Sequence, residues 1–142
     1  MIAYVESSAV LAWIFGESTG TAVRRHLAKA ERVVSSTLTA VECHRAITRG
    51  ASTKRLSQAQ TLAALQILDA AADSWTTVEM TGSILERARQ KFPHEPVRTL
   101  DAIHLATAMH FRAAFPELVV VSLDDRVCEN ASALAMVVAP RR

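Results

Sequence analysis

The chain has 142 residues, half of them hydrophobic and 21% charged, a size and composition that suit one ordinary domain and exclude a disordered segment. Its longest unbroken apolar run, Ala9 to Phe15, is seven residues, far short of the roughly 20 needed to cross a bilayer, so no membrane association is expected. A net charge of +2 is too mild to mark a nucleic-acid binder, and the excess of arginine over lysine, thirteen to three, is only supporting detail.

The start, MIAYVESS, carries no basic leader and has Glu6 where a signal peptide would be apolar. The expectation is a chain that begins near Met1 and stays in the cytoplasm. There Cys43 and Cys128, which have no metal-type spacing, pack as small hydrophobes rather than form a bridge.

In chain order, Ile2 to Val5 reads as a short strand, and the stretch opened by Ser7 and Ser8 reads as a helix that ends at Gly16. A helix with a basic face (Arg24, Arg25, Lys29) spans Ser18 to Ala30, and Val33 to Ser36 is a second strand. The next helix begins near Thr39 and runs through Glu42 towards Gly50, and another spans about Ser57 to Ala72. Trp75 to Met80 alternates as a strand, Thr81 caps a helix through Lys91, and the prolines of Phe92 to Pro96 force a loop. A helix from Thr99 or Leu100 follows, then the continuous apolar strand Leu118 to Ser122, a helix from about Asp125 and a last strand at Met136 to Ala139. Strands separated by helices predict a single α/β domain over residues 1–142, three-layered, with a central, mainly parallel sheet flanked by helices.

Four carboxylates fall at element boundaries: Glu6 after the first strand, Glu42 and Asp101 in the first turns of helices, and Asp124 after the strand that ends at Ser122. Each also has an ordinary explanation. Thr39-Ala40-Val41-Glu42 matches a capping box, Asp101 complements a helix dipole, and Asp124 or Asp125 serves as an N-cap. Their location favours function, because open parallel sheets bind ligands beyond the carboxyl ends of their strands. Clustered carboxylates repel one another unless a cation neutralises them, and hard oxygen ligands suit Mg2+ or Mn2+. Such an ion acidifies water, and a pair about 3.5–4 Å apart clamps both oxygens of a phosphodiester displacement.

Tyr4-Val5-Glu6-Ser7-Ser8-Ala9, Thr39-Ala40-Val41-Glu42, Arg98-Thr99-Leu100-Asp101-Ala102-Ile103-His104-Leu105-Ala106-Thr107-Ala108 and Val121-Ser122-Leu123-Asp124 resemble the successive motifs of PIN-domain proteins, above all the VapC-type toxins. The resemblance covers nearly the whole chain, and the Leu-Asp-Ala-x-His-Leu-Ala stretch is its most specific part. It implies a Mg2+- or Mn2+-dependent endoribonuclease, the toxin half of a toxin–antitoxin pair, that cleaves RNA by metal-activated water. It further implies a homodimer with a longer basic groove. Its cognate VapB-like antitoxin would cover the acidic site with a C-terminal segment and an arginine.

By carry-over from that resemblance, Glu6 and Asp101 hold the principal metal, Glu42 assists directly or through water, and Asp124 completes the site or orients the nucleophilic water. Ser7 and Ser122 would support these acids with hydrogen bonds. One position departs from the pattern. The family usually has aspartate where this chain has Glu6, and the extra methylene exceeds the roughly 0.2 Å tolerance of metal–ligand distances. Either the backbone adjusts, Glu6 binds in a different mode, or metal affinity falls. A weakened enzyme that works mainly by binding antitoxin or RNA is therefore the alternative. A general phosphoester hydrolase finds no phosphate loop or nucleophile motif to support it.

Other residues have readings in ordinary packing as well. His104 shares a helical face with Asp101 but reads as part of a packed helix, since no further zinc ligands can be placed. Cys43 and His44 point to different faces and make no nucleophilic pair. Arg98 is either a solvated loop residue or a phosphate contact beside the metal. Arg24, Arg25, Lys29 and Arg32 are either a solvated helix face or an RNA contact. Trp13 and Phe15 belong to the core or to a groove for a partner helix.

Overall fold

In the computed structural model, which describes residues 1–141, five strands alternate with seven helices among the described residues. β1 (Ile2–Val5) leads to α1 (Ser7–Ile14) and α2 (Gly20–Lys29), and β2 (Arg32–Ser36) leads to α3 (Thr37–Ser52) and α4 (Gln58–Asp73). β3 (Thr76–Val78) precedes α5 (Gly82–Ala88) and α6 (Thr99–Ala114), β4 (Val119–Val121) precedes α7 (Asp125–Ala133), and β5 (Val137–Ala139) closes the sheet.

All four strand pairings are parallel, in the order β3-β2-β1-β4-β5. The chain builds outward from β1 on one side, then returns to build outward on the other, so the order reverses between β1 and β4. In open parallel sheets, ligands bind beyond the carboxyl ends of the strands at such a reversal.

Alternation along β1 assigns its side chains to two cores. Tyr4 faces a core with Phe92, Leu105, Phe111, Leu118, Val120 and Met136, whereas Ala3 and Val5 face one with Val10, Val23, Ile47 and Leu68. Both faces of the sheet are covered, as a parallel sheet requires.

Several helix starts differ from the sequence reading. Glu6, not Ser7 or Ser8, caps α1, its side chain accepting from the Ser8 N–H at 3.0 Å. α2 begins at Gly20, because residues 18 and 19 form a turn. α3 begins two residues before Thr39, since the Ser36 hydroxyl ends β2 and caps the helix at once, accepting from Leu38 N at 3.1 Å. Thr39 is therefore no cap. Its hydroxyl instead takes a hydrogen bond from Ser35 at 2.8 Å, and Glu42 lies beyond the first turn, not within it. α5 stops at Ala88 rather than Lys91.

The loop before α6 is held by side chains that replace missing backbone partners. The Glu95 carboxylate accepts from Phe92 N at 2.8 Å and Val97 N at 2.7 Å. Asn130 of α7 pairs with both backbone groups of His94, at 2.9 and 3.1 Å. These contacts set the entry to α6 and hence the position of Arg98. No described helix is long and apolar enough to cross a membrane.

Candidate active site

Each of the four acids is positioned by the end of an element. Glu6 follows β1, Asp124 caps α7 after β4 and accepts from Val127 N at 3.0 Å, Asp101 lies in the first turn of α6, and Glu42 projects from α3. Glu6 and Asp101 are buried, 4% and 8% exposed. Buried carboxylates must find donors, and this chain supplies a different set to each.

Glu6 is held by hydroxyls. Ser122 donates to its Oε2 at 2.7 Å, and Ser8 donates to the same oxygen while its backbone N–H serves Oε1. The Ser8 hydroxyl also accepts from Leu123 N at 2.9 Å, and that of Ser122 accepts from Asp124 N at 3.1 Å. The ends of β1 and β4 are thereby stitched together beside Glu6. Of the two serines read as supporting the acids, Ser122 donates to Glu6 at 2.7 Å and Ser7 donates to Glu42 Oε1 at 2.6 Å.

Glu42 also accepts from His104 Nε2, and the Tyr4 hydroxyl lies 2.8 Å from His104 Nδ1. Burial alone would push the Glu42 carboxyl up. The hydrogen bond and charge of His104, with the Ser7 hydroxyl, outweigh that and hold it below its ordinary value. Burial and the charges of Glu6 and Glu42 raise the Tyr4 hydroxyl well above the usual phenol range. The same three causes push the Cys43 thiol up to about 12. Both carboxylates thus act on one small region.

Asp101 and Asp124 share a cation. Arg98, 73% exposed along its side chain, donates through Nε to Asp101 at 3.2 Å and brings Nη2 within 3.6 Å of Asp124. It lies at the edge of an open crevice lined by Pro96, Val97, Asp124, Asp125 and Arg126. Of the two adjacent acids, Asp124 makes the cap and the Arg98 contact.

Glu6, Ser8, Ser122, Asp124, Arg98 and Asp101 form one linked series, and Glu42, Ser7, His104 and Tyr4 form a second, joined to it through the adjacent residues Glu6 and Ser7. Among the described residues, no three His, Cys, Asp or Glu side chains close into a cation cage as they stand. The donor chemistry does fit a hard divalent ion: four carboxylates, no thiolate among them, held by hydroxyl and guanidinium partners that an ion can displace.

His104, Tyr4 and Ser8 join the site only in three dimensions. The only available signals were a polar ring at the centre of an apolar strand and a histidine one turn beyond Asp101. Cys43 is buried, with its thiol raised, in keeping with packing rather than nucleophilic work. Trp13 packs against the core. Phe15 lines a separate apolar groove of about 700 Å³ with Ile14, Ala46, Leu56, Ala64 and Ile67.

The PIN domain family model matches residues 3–133, nearly the whole chain and all four acids. The chain belongs to the PIN-domain family. It is 33% identical over 138 residues, 96% of either chain, to the ribonuclease VapC46 of Mycobacterium tuberculosis. Its fold matches a chain of a toxin–antitoxin complex from Klebsiella pneumoniae with a TM-score of 0.64 at 19% identity, over 99% of this chain and 98% of that one. It also matches VapC20 of Mycobacterium tuberculosis, a toxin that cleaves the sarcin–ricin loop, with a TM-score of 0.63 at 17% identity, over 95% and 96% of the two chains. At those identities the structural matches speak for the PIN-type fold.

Proposed function

We propose that this PIN-domain protein is a divalent-metal-dependent endoribonuclease, the toxin of a VapBC-type pair. The observation that carries the reading is that Glu6 and Asp124 follow β1 and β4, the strands between which the order reverses, with Asp101 linked to Asp124 through Arg98 and Glu42 held by Ser7 beside Glu6. The named VapC relative supports it.

Glu6 and Asp101 would hold Mg2+ or Mn2+, with Glu42 and Asp124 completing the set. When bound, the ion neutralises the acids and supplies the Lewis acidity that makes water a competent nucleophile at phosphorus. The chain does the rest. Ser8 and Ser122 keep the Glu6 carboxylate oriented, Ser7 does the same for Glu42, and Asp124 accepts a hydrogen bond from the attacking water. Arg98, released from Asp101 and Asp124, meets a phosphate of the RNA backbone at the mouth of the crevice. No side chain serves as nucleophile, consistent with the raised Cys43 thiol.

The apolar groove that includes Ile14, Phe15, Leu56 and Ile67 suits the C-terminal helix of a VapB-like antitoxin, and a homodimer would extend the basic surface offered to RNA. A second reading has one observation in its favour: both oxygens of Glu6 are already engaged by Ser8 and Ser122. A carboxylate so occupied is a poorer ligand than a free one, which describes a weakened enzyme that acts mainly by binding.

The test is cleavage of total RNA by the antitoxin-free protein with Mg2+, Mn2+ or EDTA, beside Glu6→Asp and Asp101→Asn. Metal-dependent cutting at discrete sites, abolished in Asp101→Asn, supports the nuclease. A silent wild type beside an active Glu6→Asp supports the weakened enzyme. Silence of both under every metal refutes catalysis.

A further inference from the structure

Tyr4 is the only polar residue of β1 and is fully buried. Its hydroxyl lies 2.8 Å from His104 Nδ1, and the rings meet edge to face with centroids 6.2 Å apart. His104, itself 1% exposed, turns its other nitrogen onto Glu42 Oε1, the oxygen that also accepts from Ser7 at 2.6 Å. The Ser7 hydroxyl is 3.4 Å from Nε2 and closes the group.

The hydrogen-bond inventory fixes the Glu42 end of this series. An ionised carboxylate only accepts, so Nε2 carries a proton and donates to Glu42. Nδ1 pairs with the Tyr4 hydroxyl, a group that can donate or accept. Both imidazole nitrogens are engaged, and the ring cannot flip without breaking two bonds. Ser7 and His104 both donate to the same oxygen of Glu42, Oε1.

Resting on the proposed nuclease reading, we infer that Tyr4 and His104 are positioning residues: a buried strut from β1 through α6 to α3 that turns Glu42 Oε1 inward and presents Oε2 to the cation. The strut also fixes Glu42 relative to Asp101, because His104 and Asp101 sit one turn apart on α6. Core stability alone is a poor account of it, since burying a hydroxyl and an imidazole costs desolvation that apolar residues of similar volume avoid. Partners of this kind commonly change metal affinity or activity by about 10–100-fold when removed.

The test uses Tyr4→Phe, which deletes one hydroxyl and keeps the ring, with His104→Gln and Glu42→Gln as companions. Three readouts apply to the full-length protein: two-bond proton–nitrogen NMR of the His104 ring, Mn2+ affinity by calorimetry, and total-RNA cleavage against Mn2+ concentration. The expected wild-type ring carries a proton on Nε2, and its Nδ1 resonance shifts in Tyr4→Phe. Tyr4→Phe should weaken Mn2+ binding by roughly 3–10-fold and His104→Gln by about 10–100-fold, with cleavage recovered at high Mn2+. In a Glu42→Gln background Tyr4→Phe should change Mn2+ affinity no further, since its effect runs through that carboxylate.

An Nε2 without a proton, or a Tyr4→Phe protein that is less stable yet binds Mn2+ and cuts like wild type, overturns the positioning role while leaving the nuclease intact. A wild type that neither binds Mn2+ nor cuts overturns the nuclease, and the positioning role with it. The NMR readout of the strut still separates the two failures.

Discussion

Replacing Arg98 by glutamine tests whether the guanidinium holds the place of a cation. Arg98 contacts Asp101 at 3.2 Å and approaches Asp124 at 3.6 Å, so an incoming divalent ion must break both contacts. The guanidinium is 73% exposed, and solvent-exposed ion pairs are worth about 0.2–1 kcal/mol each. Two such pairs sum to about 1 kcal/mol, a factor of roughly five in affinity. Arg98→Gln should therefore bind Mn2+ about five-fold more tightly than wild type by calorimetry at low ionic strength. The difference should shrink as salt screens the exposed pairs. If Arg98 also contacts RNA phosphate, the same variant should cut more slowly at saturating Mn2+ despite binding the ion better. Unchanged or weaker Mn2+ binding would refute the reasoning and mean that Arg98 organises the two acids for the ion instead of competing with it.

Cys43 should resist iodoacetamide in the folded protein at pH 8, because a thiol raised to about 12 is ionised there in only about one molecule in ten thousand; fast native labelling would contradict the buried environment. Glu42 should contribute a pH-dependent share of stability. A carboxyl held below its ordinary value of 4.5 stabilises the fold above that pH and loses the effect as pH falls through the lowered value. The denaturation gap between wild type and Glu42→Gln should accordingly narrow on acidification below that value, and a gap that stays constant to about pH 3 would count against the His104 contact. Gly20→Ala should destabilise the α1–α2 corner, since its Cβ would fall 2.4 Å from the Ala12 carbonyl oxygen and 2.8 Å from Trp13 Cα. Backbone cannot yield as a side chain does, so a cost of about 1–3 kcal/mol and a Tm lower by roughly 3–10 °C are expected, read by thermal melting.

What could be read in advance follows the range of the interaction. β4 was legible because Val119, Val120 and Val121 form a run that only a strand covered on both faces explains. Asp101 and Asp124 were legible as helix starts because capping and dipole effects act within one turn. The same local rule misled at Glu42: Thr39 and Glu42 have capping-box spacing, but Ser36 caps first, and nothing in the intervening residues reveals that. At Glu6 the adjacent serines looked like the caps, while the longer carboxylate reaches forward to Ser8 N. Contacts across the fold were beyond reach. Tyr4 and His104 are 100 residues apart and Glu42 and His104 are 62 apart, and no periodicity carries that information.

The partners of the acids explain how such a site can fold at all. Four carboxylates at one sheet edge would oppose folding by mutual repulsion unless each were neutralised or hydrogen-bonded. Glu6 relies on Ser8 and Ser122, Glu42 on Ser7 and His104, and Asp101 and Asp124 on Arg98. Every donor is part of the chain, so assembly of the crevice requires no ion. On the proposed reading, cation affinity is the difference between two sets of contacts rather than the strength of one. Removing a donor that competes with the ion, such as Arg98, should tighten binding, whereas removing one that aims a ligand from behind, such as Tyr4, should loosen it. Glu6 lies between these cases, since the extra methylene that lets it cap α1 and reach Ser122 is what commits both of its oxygens. Through those contacts Glu6 both caps α1 and ties the end of β1 to that of β4, so any ion that used it as a ligand would have to displace Ser8 or Ser122.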